Sequence, residues 1–149
     1  MKPTIIDIAI SLFKGILFFF TPAVYLVLGV AFVSLIDSYY GIKKVKKVGE
    51  EKATSRGFRM GYVPKVCGYT LVILLTYFLD YYLLNEFTSN WVSIKNVSTK
   101  IVTIILIANE VVSIDENWQV IKGYSFLKKF QDMIIKVKNI KKEIKDEEI

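Results

Sequence analysis

Histidine is absent from this 149-residue chain, and there is a single cysteine, Cys67. Without imidazole, histidine metal sites and every triad that runs through a histidine are excluded. A lone cysteine closes no internal disulfide, so the fold owes nothing to oxidation, and the expected place of Cys67 is that of a small buried hydrophobe. There is also no Walker loop, no GxSxG, no metal-ligand cluster and no pair of carboxylates set out for acid–base work. An enzyme is therefore not expected, nor is a cofactor. The net charge is +6, yet no known binding motif accompanies the basic residues, so nucleic acid is not an expected partner.

Charge itself is missing over a long stretch. Gly15–Ile36 runs twenty-two residues without an ionisable side chain other than Tyr25, about 33 Å as a helix against roughly 30 Å of bilayer hydrocarbon. A soluble domain of this size has little use for a helix that is apolar all round. Asp7 and Lys14 interrupt the preceding segment and no A-x-A site follows, which predicts a retained anchor rather than a cleaved signal. Residues 1–14 place Ile5, Ile8, Ala9, Leu12 and Phe13 on one face, a continuation of the span or an interfacial helix. A helical hairpin turning at Thr21-Pro22 is the alternative.

Two further spans follow. Residues 66–84 hold one charge, Asp80, and residues 101–118 contain Asn109 and Glu110, so that this third span has a charge-free run of only nine residues. Val48–Lys65 is polar and glycine-punctuated, which predicts a loop with at most one short helix. Trp91 and Trp118 suit membrane interfaces. Residues 15–122 thus form a membrane domain, and residues 123–149 a charged tail. In that tail Phe126, Phe130, Met133, Val137, Ile140 and Ile144 make a heptad seam among lysines, suited to self-pairing or to an anionic leaflet. The expected fold is all-α: an integral membrane protein of three helices, or four with the hairpin, and a basic amphipathic C-terminal helix. Eight Lys/Arg lie in Lys43–Lys65 and eight from Lys122 onward, against two in the loop at 85–100. Three spans then place the N-terminus outside and the C-terminus inside.

Asp37, Asp80 and Glu110 fall one to each span. Carboxylates at such depth face a protein interior or water. They define a polar seam formed on assembly of several chains, or, for Asp37 and Asp80, hydrated positions at headgroup depth. Ala31, Ser34, Ser38 and Gly41, spaced three, four and three, line small residues along one face, which allows close helix approach.

The segments LIDSYYGIKK, TSRGFRMGYVPK, LDYYL and IANEVVSIDENW together are similar to the family of small phage lysis holins, which includes the clostridial toxin-secretion holin. The resemblance spans roughly residues 26–128. It rests on Asp37 and Gly41, on Ser55 with Gly57 and Lys65, on Asp80, and above all on Asn109, Glu110, Ser113, Glu116 and Asn117. The resemblance implies a homo-oligomer in the lipid bilayer of the host bacterial inner membrane. Its lesions would let an endolysin reach the cell wall without any need for direct contact. A non-lytic export channel or scaffold, and a transporter accessory subunit, are the competing classes.

Overall fold

The computed structural model describes residues 4–49, 55–84, 86 and 94–147. The Trp91 anchor lies outside them, as do the side chains of Ser55 and Ile144. Four helices follow one another: α1 (Ile5–Val48), α2 (Ser55–Leu79, continued by a π-helical turn at Asp80–Leu84), α3 (Val97–Lys122) and α4 (Phe126–Glu147). The first three are each long and apolar enough to cross a membrane.

α1 is one continuous helix of 44 residues, about 66 Å. It begins with a capping box, the Thr4 hydroxyl accepting from the Asp7 N–H while Asp7 accepts from the Thr4 N–H. It stops at Gly49, whose φ of 82° places it in the left-handed region, with its N–H bonded to the Val45 carbonyl. The hairpin alternative at Thr21-Pro22 is excluded, because Pro22 lies inside the helix. A break there would strand several backbone groups in lipid, whereas a proline forfeits one bond. The loosened turn is also supplied with partners: the Thr21 hydroxyl donates to the Leu17 carbonyl and the Tyr77 hydroxyl to the Phe19 carbonyl, both at 2.9 Å.

α2 starts at Ser55, eleven residues before the expected span, so most of the predicted loop up to Lys65 is helical. Phe58 stacks on Tyr62 one turn later, rings 5.4 Å apart, and the Tyr62 hydroxyl donates to the Ala31 carbonyl of α1. These contacts offset the low helix propensity of Gly57, Gly61 and Pro64. Cys67 departs from expectation as well. It is exposed on the outer surface, where an apolar thiol suits lipid.

The bundle is polar inside and apolar outside. Its buried hydrophobic residues are Ala23, Val30, Ile73 and Tyr77, while Ser34, Asp37, Asp80, Thr99, Thr103 and Glu110 are buried beside them. Phe18, Tyr25 and Phe32 stand out from α1, and Leu71 and Ile104 from α2 and α3. In water that surface would be an aggregation liability; in lipid it is simply solvated. Aromatic residues gather in two girdles. Phe19, Tyr77, Tyr81 and Tyr82 meet at one end, and Tyr39, Tyr40, Trp118 and Tyr124 at the other. Phe19 and Tyr39 are twenty residues apart on α1, about 30 Å of helix, which matches the hydrocarbon thickness. The second girdle is also basic, with Lys43 over the Tyr39 ring and Lys122 over Trp118.

Candidate polar seam within the membrane bundle

α1 packs chiefly on α3 and then on α2, which brings Asp37, Lys65 and Glu110 to one place. The Lys65 ammonium lies 2.9 Å from Asp37 Oδ2 and 2.7 Å from Glu110 Oε2, so one cation on α2 holds a carboxylate on each of the other helices. The other oxygens are also occupied. Asn117 Nδ2 donates to Asp37 Oδ1 at 3.0 Å, and the Tyr69 hydroxyl donates to Glu110 Oε1 at 2.6 Å. Glu110 is eight residues from Trp118, about 12 Å inside the basic girdle. At that depth an unpaired carboxylate is costly, and the pairing removes most of the penalty.

Asp80 is handled differently. It closes α2 and accepts from the Thr99 N–H at 2.7 Å and the Thr99 hydroxyl at 2.6 Å. Asn96 precedes α3 in a left-handed conformation, φ 56°, and its side chain makes no capping bond. Asp80 therefore does from another helix what an N-cap residue does locally, satisfying the N–H three positions in. A fourth acidic residue, Asp115, accepts from the Ser125 hydroxyl and from the N–H groups of Phe126 and Leu127, fixing the start of α4. Asp37 and Asp80 are both buried and bonded to protein groups rather than open to water.

The predicted seam divides in two. Asp37, Asp80, Glu110 and Asn117 turn inward and are bonded within one chain. Asn109 and Glu116 are exposed, and Ser113 is half-buried between the two sets. The side-chain amide of Asn109 has no hydrogen-bond partner among the described residues. The small-residue stripe also faces inward: Ser34 is fully buried, Ala31 and Ser38 partly so, and a Cβ on Gly41 would come 3.9 Å from the Asn117 amide. Sequence reasoning left out Tyr69 and Thr99 and gave Lys65 no role in the membrane. Among the described residues no three His, Cys, Asp or Glu side chains gather to hold a metal ion.

No curated protein and no solved structure matches the chain. A family model does, over residues 14–139, which takes in all three spans and most of α4. With three membrane-length helices around a paired polar interior, this multi-pass protein belongs to the bacteriophage holin family.

Proposed function

We propose that the protein is a lysis holin of a bacterial inner membrane. It accumulates as a self-contained three-helix unit, assembles through the outward face of α3, and opens lesions through which an endolysin reaches the cell wall. It performs no chemistry. The basic girdle and α4 lie on the cytoplasmic side and the N-terminus outside, in keeping with the excess of Lys/Arg flanking that end.

The observation that carries this reading is the division of the seam. The inward carboxylates are paired with Lys65 or hydrogen-bonded inside each chain, so a single copy is tolerable in lipid. Asn109, nine residues from Trp118 and so about 13 Å inside the girdle, presents an unpaired amide to hydrocarbon. An amide both donates and accepts, so two copies satisfy each other; such interhelical bonds contribute about 0.6–2 kcal/mol each. Ser113 and Glu116 extend the same polar strip toward the girdle. Assembly is then favoured only weakly per contact and becomes extensive once the membrane is crowded.

Inducible expression in a bacterium tests the reading. Growth should continue, then stop abruptly with collapse of the membrane potential, and a co-expressed endolysin should be released at that moment. Asn109→Leu should reach the same membrane level yet delay the stop and shorten the crosslinked ladder. Unbroken growth of the parent at high membrane levels would overturn the holin assignment in favour of a non-lytic channel or scaffold. Parental timing in Asn109→Leu would overturn the assembly face alone.

A further inference from the structure

The membrane bundle and its assembly face leave α4 without a task. Its apolar side chains Phe130, Met133, Ile134, Val137 and Ile140 are all about half exposed, and from Lys128 to Ile140 every side chain is exposed. α4 therefore does not pack along α3 beyond its first turn. Where it begins is informative. Asp115 lies seven residues before the end of α3 at Lys122, about 10 Å back along the helix, yet it accepts from the N–H groups of Phe126 at 2.7 Å and Leu127 at 3.2 Å. Gly123, at φ 83°, lets the chain turn back sharply. α4 thus starts beside the last two turns of α3 rather than beyond them. That start is inside the aromatic and basic girdle: Phe126 contacts the Trp118 ring, and Lys129 lies 3.8 Å over the Tyr124 ring.

Its residue pattern suits that depth. At 100° per residue, Phe126, Phe130, Met133, Val137 and Ile140 centre one face. Lys129 and Lys136 flank it on one side, while Lys138 and Asp132 stand equally far from its centre on opposite sides of the helix. Lysines so placed reach headgroup phosphates while their stems cover hydrocarbon. Pairing of two α4 helices fits less well, because heptad register sets Lys136 against Lys141 of a second copy, like charge against like.

We propose that α4 lies on the anionic lipid leaflet at the basic end of the bundle, its apolar face in the acyl boundary and its lysines on lipid phosphates. This rests on the membrane-spanning fold and not on lysis. Each lysine near such a surface strengthens the association roughly fivefold, and salt weakens it.

The test uses the full chain in nanodiscs loaded at one copy each, with Cys67→Ala as background. Val137→Cys and Asn139→Cys are labelled with an environment-sensitive fluorophore, the second reporting the polar side. In discs rich in phosphatidylglycerol the label at position 137 should shift to the blue and be quenched severalfold by headgroup-proximal spin-labelled lipid, while the label at 139 stays water-like. In phosphatidylcholine discs or at high salt, or with Lys136→Gln and Lys138→Gln added, the shift at 137 should fall severalfold. Equal shifts in both lipids would overturn the electrostatic docking. A shift seen only in discs holding two copies would assign the face to self-pairing, and a water-like label at 137 in every lipid would leave α4 in solvent; either result overturns the proposal.

Discussion

Glu110 and Asp80 are each only 1% exposed, yet the bundle accommodates them by opposite means. Glu110 is held by side chains, the long Lys65 arm and the Tyr69 hydroxyl, which come from another helix and can swing away. Asp80 is held by the backbone N–H and short hydroxyl of Thr99, at the mouth of α3. The first arrangement joins three helices through one flexible cation. The second staples the end of α2 to the start of α3 and cannot be exchanged without unwinding a helix turn. The proposed assembly, in which single copies are stable and later rearrange, is served by having both, a fixed joint at one end and a releasable one at the other.

Removing the shared cation should give the largest effect. Lys65→Met keeps the length of the side chain but leaves Asp37 and Glu110 facing each other without compensation. Loss of one partner from a buried pair costs about 3–5 kcal/mol, so unfolding in mixed detergent, followed by tryptophan fluorescence, should shift strongly toward lower denaturant. Adding Asp37→Asn and Glu110→Gln should restore most of the loss, because the amides need no cation. If Lys65→Met unfolds like the parent, the lysine is not what joins the three helices.

The staple should be weaker and more local. Asp80→Ala removes an N-cap equivalent, about 1 kcal/mol, and amide exchange should rise at Thr99 and Lys100 while the middle of α3 stays protected. Asp80→Asn keeps an acceptor oxygen and should lose less than Asp80→Ala. Equal losses in the two variants, with exchange spread along α3, would mean that Asp80 acts through its charge on the whole bundle.

The spans were legible in the sequence because lipid demands long apolar runs, and the carboxylates were legible because they interrupt those runs. Their partners were harder to find. Lys65 reads as one more cation in a basic flank, although Tyr62, Lys65, Tyr69, Ile73 and Tyr77 recur every three or four residues and all turn at least partly inward. That spacing was the available signal for the polar face of α2. Thr99 carried none: it meets Asp80 from nineteen residues further along the chain, and only the left-handed Asn96, whose side chain makes no capping bond, leaves its N–H in need of an acceptor. Four residues of the predicted seam, Asp37, Asp80, Glu110 and Asn117, are bonded within one chain for a related reason. Periodicity assigns residues to a face but does not say whether a helix of the same chain already covers it.

The smallest expected effect separates the steric from the polar part of the bundle. Ser34, in the small-residue stripe, is fully buried and its hydroxyl has no hydrogen-bond partner among the described residues. If the stripe works by size alone, the hydroxyl contributes nothing, and Ser34→Ala should match the parent within about 0.5 kcal/mol or gain slightly, since an unpaired buried hydroxyl is removed. Ser34→Leu should instead push the packed helices apart and lose about 1–3 kcal/mol. It would also lengthen Lys65–Asp37 and Asn117–Asp37, because Asp37 is the next buried residue along that face. A clear loss in Ser34→Ala would show that the hydroxyl is bonded in the membrane, by a carbonyl or a water, and that the stripe belongs with the polar network rather than with the packing.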